Sequence, residues 1–217
     1  MGAVANVRST PGPALFRQPT LFSAAGAAVV CDPSFAGAHR IELDEHAWVD
    51  YVAGWVEAAD VLFEEIVERA PWQHKTVHMY DRMVDEPRLT AWYGHAPGDE
   101  GGPAILGKMA RALSARYDRE FDGIGAALYR DGRDSVAWHR DRIDPALVEP
   151  VVAIVSLGSA RTLRMRSRER RGPTRAFPLL PGDLFVMGGS TQRTWEHSVP
   201  KVAAAGARLS LQFRHSA

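Results

Sequence analysis

Residues 127–141 read Ala-Leu-Tyr-Arg-Asp-Gly-Arg-Asp-Ser-Val-Ala-Trp-His-Arg-Asp, and the closing His139-Arg140-Asp141 governs how the rest of the chain is read. Two residues apart on a strand, His139 and Asp141 point to the same face. A neutral imidazole and a carboxylate side by side can each give one ligand to a divalent transition metal. One more histidine completes a 2-His-1-carboxylate set, which leaves coordination positions open and favours non-heme Fe(II). His197, in Trp195-Glu196-His197-Ser198, is the candidate. A His-x-Asp pair alone is common, and a solvated turn pair is the competing reading.

A chain of 217 residues fits one domain, long enough to bury about 70% of its unfolded surface. With 46% hydrophobic and 24% charged residues the composition is that of an ordinary globular protein. No apolar run approaches the roughly 20 residues of a membrane span, so no membrane association is expected. Leu21 to Val30 is weakly apolar, but Pro11, Pro13 and Pro19 break the segment before it, and no compact basic start precedes it. An export signal is therefore not expected. The single cysteine, Cys31, has no internal partner, which suits a reducing cytoplasm and a small packing residue.

Formal net charge is zero, so global basicity does not advertise a nucleic-acid partner. Locally the charge is uneven: Arg161, Arg164, Arg166, Arg168, Arg170, Arg171 and Arg175 are opposed only by Glu169. Two readings stay open for this run, a solvated hairpin and an anion-binding surface.

Taken in order, residues 1–36 are rich in Ala, Gly and Pro without a sustained period. They predict an extended N-terminal arm with a short strand near Ala28 to Val30. Residues 37–217 then form a single domain. From Asp44, a plausible N-cap, apolar residues at Trp48, Val52, Trp55, Ala59, Leu62 and Ile66 predict one helix, ended by Ala70-Pro71. Between 72 and 95, Trp72, His74, His78, Tyr80, Arg82, Arg88, Trp92 and Tyr93 mix aromatics with cations. That mixture suits base stacking with phosphate contacts, or equally a strand pair with edge aromatics. Gly94 to Gly102 reads as a loop. Pro103 then opens a second amphipathic helix through Ile105, Leu106, Met109, Leu113 and Tyr117, ending near Phe121.

Beyond it the period changes. Short strands are predicted at Gly125–Tyr129, Val136–His139, Val151–Leu157, Thr162–Arg166, Ala176–Leu179, Leu184–Met187, Glu196–Val199 and Arg208–Arg214. Turn signals separate them, including Asp131-Gly132, Gly158, Gly172-Pro173 and Pro181-Gly182. Eight short strands, with no Walker or dinucleotide glycine pattern, predict a mostly β fold with flanking helices, a jelly roll whose core spans about 123–215.

In the last strand, Arg208, Ser210, Gln212 and Arg214 alternate with Leu209, Leu211 and Phe213, which are expected to face the opposite sheet. Guanidinium groups directed into a barrel are costly unless they meet anions, and a dicarboxylate can meet both. The alternative is one arginine on a ligand and the other at the barrel rim.

With Tyr129, His139, Asp141, His197 and the Arg208–Arg214 strand in hand, residues 70–215 resemble the AlkB family of Fe(II) and 2-oxoglutarate dependent dioxygenases. The family order is Asn-x-Tyr, His-x-Asp, a distal His and Arg-x-Asn-x-x-x-Arg. This chain offers Ala127-Leu128-Tyr129, His139-Arg140-Asp141, His197 and Arg208-Leu209-Ser210-Leu211-Gln212-Phe213-Arg214. Pro87-Arg88-Leu89-Thr90-Ala91-Trp92-Tyr93-Gly94 resembles the family's substrate-facing lid. The resemblance implies a double-stranded β-helix holding Fe(II) through His139, Asp141 and His197. It implies 2-oxoglutarate as cosubstrate, held by Arg208, Arg214, Ser210 and Tyr129, with O2 as oxidant. The implied function is DNA-damage repair by oxidative removal of N-alkyl groups from flipped nucleic-acid bases, releasing aldehyde and succinate. Arg88, Trp92 and Tyr93, with Arg161, Arg164, Arg166 and Arg168, are then the expected nucleic-acid contacts, on a monomeric, cytoplasmic enzyme.

Departures from the family pattern keep other substrates in view. Ala127 and Ser210 replace two asparagines, which removes amide contacts worth about 1 kcal/mol each. Ile143 stands where many members carry an acidic residue that contacts the base, and His95-Ala96-Pro97-Gly98-Asp99-Glu100 replaces a tyrosine-rich segment. An oxygenase of the same chemistry acting on a protein or small molecule, or a catalytically silent nucleic-acid-binding barrel, are the alternative readings.

Overall fold

The computed structural model describes residues 27–79, 82–94, 102–170 and 172–216. Most of the expected arm, the segment 95–101 with its departure from the tyrosine-rich pattern, Tyr80 and Arg171 lie outside the described residues. So do the side chains of His78 and Arg82.

The first half runs β1 (Val30–Cys31), β2 (His39–Glu42), β3 (Ala47–Val52), β4 (Val56–Glu57), α1 (Ala59–Arg69), β5 (Gln73–Met79), β6 (Arg82–Trp92) and α2 (Ala104–Tyr117). The second half runs β7 (Gly123–Tyr129), β8 (Val136–His139), β9 (Val152–Gly158), β10 (Arg161–Ser167), β11 (Arg175–Leu179), β12 (Leu184–Gly189), α3 (Thr191–Thr194), β13 (Trp195–Val199) and β14 (Arg208–Arg214). All eight strands expected after residue 123 are present, with ends shifted by no more than two residues.

Two antiparallel sheets make the jelly roll. The larger has the order β2-β3-β12-β9-β14-β7-β6-β5 and the smaller β11-β10-β13-β8; β1 and β4 form a separate pair. The central strands of the larger sheet are buried on both faces, which explains their nearly unbroken apolar runs. On β9, Ala153, Val155 and Leu157 join helix residues Leu62, Ile66, Met109 and Leu113 in one core. Val152 and Ile154 instead pack with Leu163, Met165, Leu179 and Trp195 of the smaller sheet. β12 divides the same way, with Leu184 and Val186 toward the helices and Phe185 and Met187 toward the smaller sheet.

β14 corrects one expectation. Leu209, Leu211 and Phe213 belong to the core under α1 and α2, not to the space facing the other sheet. Each is fully buried, contributing about 1.5–3 kcal/mol by removal from water. The polar face of β14 therefore looks between the sheets.

The helix expected from Asp44 to Ile66 is corrected more deeply, because residues 47–52 form β3 and the helix begins only at Ala59. Ala47, Val49 and Val52 are buried, and β12 supplies a ladder for every residue of the strand. Val49, Tyr51 and Val52 are β-formers, so tertiary pairing and local preference agree. Asp44 does cap backbone groups, but in a turn: its Oδ1 accepts from the amides of His46 and Ala47, both at 2.9 Å. α2 stops at Tyr117, with Asp118 at φ 52° closing it, short of Phe121. The segment after residue 72 takes the strand-pair form, and the segment resembling a lid lies largely within β6, hydrogen-bonded to β7 from Leu89 to Trp92.

Candidate metal and cosubstrate site

β8 ends on His139, and β13, its antiparallel neighbour, places His197 directly across from it. The imidazole centroids are 4.2 Å apart. Asp141 lies just beyond the end of β8, so the chain turn rather than strand alternation brings it to the pair. Ligand atoms of His139, Asp141 and His197 all lie within 4.8 Å of one another, a spacing that suits a shared ion. The Nδ1–H of His139 donates to the Ala137 carbonyl at 2.8 Å, which leaves Nε2 as the lone-pair donor. Asp141 is held twice. Its amide donates to Oε1 of buried Gln192 at 3.0 Å, and its Oδ1 accepts from Nη2 of Arg214 at 2.6 Å.

These contacts set the charge states. Burial would raise the Asp141 carboxyl, but Arg214, together with His197 and His139, outweighs it and brings it down to about 2. Burial lowers His197 to about 4 despite the opposing attraction of Asp141. At neutral pH the cluster is thus one carboxylate beside a neutral imidazole at His197, the form in which such groups bind metal.

The inner face of β14 leads away from this cluster. Arg208 is only 1% exposed, with Nε donating to Ser156 Oγ at 3.1 Å and its guanidinium 5.3 Å from the Tyr129 ring centroid. Among the described residues, Nη1 of Arg208 has no hydrogen-bond partner. A buried cation left partly unpartnered is the complement of an absent anion. Ser210 Oγ accepts from Nε2 of Gln212 at 3.0 Å. Tyr129, Arg208, Ser210 and Arg214 are thus gathered on one face, with Arg214 engaged by Asp141.

The expected nucleic-acid contacts divide. Arg161 is a structural cation: it is buried, and its guanidinium donates to the carbonyls of Asp131, Asp134 and Pro200 at 3.1, 2.9 and 2.6 Å. Tyr93 is also corrected, being 6% exposed and packed in the main core. Arg166 sits 4.2 Å over Trp138 and pairs with Glu196 at 2.8 Å. Arg164 and Arg168 are exposed on the β10 side, Arg168 donating to the Arg193 carbonyl at 3.1 Å. Arg88 pairs with Glu86 at 3.3 Å. Trp92 is 47% exposed, and its indole crosses Gly123 and Gly125 of β7, where a Cβ would come within 3.0 and 3.4 Å of the ring. Ile143 lines a cavity of about 140 Å³ with Leu147, Arg214 and His215.

Gln192 and Ser156 had no motif to reveal them, since each acts through a partner distant in sequence. A family model described as the 2OG-Fe(II) oxygenase superfamily matches residues 50–214. The chain belongs to that superfamily. Human alpha-ketoglutarate-dependent dioxygenase alkB homolog 3 is 33% identical over 178 residues, covering 73% of this chain and 62% of that protein. Human DNA oxidative demethylase ALKBH2 is 29% identical over 179 residues, covering 72% and 68%. These similarities place this 2OG-Fe(II) oxygenase with the AlkB homologues, although it spans less than two thirds of the length of the alkB homolog 3 proteins. The structure described as OsALKBH1 shares the fold, with a TM-score of 0.58 at 14% identity, covering 82% of this chain and all of that one. Superfamily membership implies Fe(II), 2-oxoglutarate and O2, and the site fits them. Three clustered ligands suit the metal, and Arg208 offers an unfilled donor to a carboxylate.

Proposed function

We propose that the protein is a dioxygenase that removes N-alkyl groups from damaged DNA or RNA bases. One observation carries the reading: the His139, Asp141 and His197 cluster shares the space between the sheets with a buried arginine whose Nη1 lacks a hydrogen-bond partner among the described residues. With iron, 2-oxoglutarate and O2 bound, the chemistry supplied is decarboxylation to succinate and carbon dioxide coupled to hydroxylation of the N-alkyl carbon; the hemiaminal then releases aldehyde.

The chain's own residues prepare this. His139, Asp141 and His197 hold the metal. Arg214 keeps Asp141 anionic and orients it, while Gln192 fixes its backbone. Arg208 and Tyr129 receive the far carboxylate of the cosubstrate, and Arg214 also borders the space for the near one. Val199, clustered with Ala127 and Tyr129, and Ile154, clustered with Leu163 and Met165, add buried apolar groups between the sheets. Trp92 and Arg88 lie on the strand leading to the site, and Arg164 and Arg168 offer charge to phosphates.

The nucleic-acid substrate is supported by the likeness to alkB homolog 3 and DNA oxidative demethylase ALKBH2. Ile143 beside Arg214, and the engagement of Arg161 and Arg166 within the fold, favour a second reading in which the same centre oxidises a protein or small molecule. The test supplies Fe(II), 2-oxoglutarate and a panel of N-alkylated oligonucleotides under anaerobic conditions, then admits air. Equal release of succinate and aldehyde supports dealkylation. Succinate release unchanged by every oligonucleotide, with no aldehyde, supports the second reading.

A further inference from the structure

The register across four strands defines the floor of the cosubstrate space. Thr90 pairs with Ala127, Ala127 with Ser210, and Ser210 with Ser156, so these four residues form a row across β6, β7, β14 and β9. Cross-strand partners share a face, and Ser210 lies on the face that carries Arg208 and Arg214. On one side of this row stands the row of Tyr129 and Arg208; on the other stand Trp92, Gly125 and Gln212, then Gly123 and Arg214. Adjacent rows are about 7 Å apart along the strands. A dicarboxylate extending from Arg208 toward the metal ligands must therefore cross the row of Thr90, Ala127, Ser210 and Ser156, where every side chain is small.

Thr90 is the unexplained member of that row. Its Oγ1 is buried without a hydrogen-bond partner among the described residues, which is unfavourable for a hydroxyl removed from water. Ser156 is engaged by Arg208 and Ser210 by Gln212, while Ala127 has no polar atom to offer. Valine has the same shape and favours strands as strongly, so packing alone gives no reason for the hydroxyl.

Resting on the proposed function, we propose that Thr90 is a binding residue for 2-oxoglutarate, its hydroxyl donating to the bound cosubstrate at the point where Ala127 offers none. The residue thus completes a polar floor that Arg208 begins.

The test uses the full chain with Mn(II) in place of iron, so that turnover does not intervene, and 2-oxoglutarate titrated calorimetrically into the wild type, Thr90→Val and Thr90→Ser. Thermal unfolding without cosubstrate is measured alongside. Thr90→Val should raise Kd about five- to tenfold, the loss expected for one hydrogen bond. Its unfolding midpoint should equal or exceed that of the wild type, because the substitution removes an unpartnered buried hydroxyl. Thr90→Ser should bind within about twofold of the wild type, since it keeps the donor. If the wild type binds 2-oxoglutarate and Thr90→Val binds it equally well, this inference falls and the functional reading stands. A lowered midpoint in Thr90→Val, with Kd raised equally in Thr90→Ser, makes the residue structural and overturns the inference. If the wild type with metal does not bind 2-oxoglutarate, both readings fall.

Discussion

Arg214 donates from Nη2 to Oδ1 of Asp141 at 2.6 Å, joining the last strand of the larger sheet to the loop beyond β8. The arginine read from sequence as a cosubstrate contact is thus also the partner of a metal-ligand candidate. Arg208, six residues earlier on the same face, is turned to Ser156 and Tyr129 and keeps one donor unfilled among the described residues.

The two arginines should therefore fail differently. Arg208→Ala is expected to weaken 2-oxoglutarate binding by at least tenfold while leaving Mn(II) affinity within about threefold of the wild type, because a charge-assisted pair is lost at one end only. Arg214→Ala should weaken both. Without that cation the Asp141 carboxyl rises from about 2, so the acid limb of metal binding moves to higher pH. Mn(II) titrations between pH 4 and 7 check this; equal metal affinity for the two variants across that range would make Arg214 a cosubstrate residue alone.

Acid sensitivity follows from the same cluster. His197 has a folded value of about 4 against an ordinary 6.5, so the unfolded chain binds the proton more tightly. Its contribution is unfavourable to the fold only at low pH: stability is full above about 6.5 and falls as pH drops toward about 4, by about 3 kcal/mol. Asp141, depressed to about 2, adds a loss that begins below its ordinary 3.8 and runs down through 2. Denaturant unfolding in chelator at pH 7, 5.5 and 4.5 should show the first decline, and His197→Gln should flatten it. A decline of the same size in His197→Gln would place its origin elsewhere.

Arginines of one run should separate into structural and phosphate-binding groups. Arg161→Ala leaves one buried and two part-buried carbonyls without their guanidinium and should cost about 3 kcal/mol, or roughly 6–12 °C in unfolding midpoint. Arg164→Ala with Arg168→Ala should leave the midpoint nearly unchanged. If both side chains meet phosphates, the pair should reduce the salt dependence of oligonucleotide binding by about 1.4–1.8 log units per log unit of salt. An unchanged slope with intact 2-oxoglutarate turnover would make these two arginines a solvated face.

Sequence reading succeeded where one residue's chemistry or one strand's alternation carried the signal. His139, Asp141 and His197 could be proposed from chemical type and order, and β14 from strict polar-apolar alternation between its present bounds. It failed where a coincidence imitated another period. Trp48, Val52 and Trp55 fall at helical spacing, yet Trp48 and Val52 lie on β3 because β12 offers a complete ladder. Arg161 was grouped with its charged neighbours because a run of arginines does not show which one begins a strand pointing inward. Gln192 could not be found at all, because its contact with Asp141 depends on a short helix packed against a loop distant in sequence, and the placing of Thr90 in line with Ala127, Ser210 and Ser156 depends on register across four strands.

If His139, Asp141 and His197 together hold the iron on which turnover depends, anaerobic calorimetric titration of Fe(II) into the wild type and the three alanine variants must show it. The wild type should bind stoichiometrically, and His139→Ala, Asp141→Ala and His197→Ala should each lose at least a hundredfold in affinity, since each retains only two protein ligands. Fe(II) binding by any one variant at wild-type stoichiometry and affinity would remove that residue from the centre and leave the three-ligand site disproved.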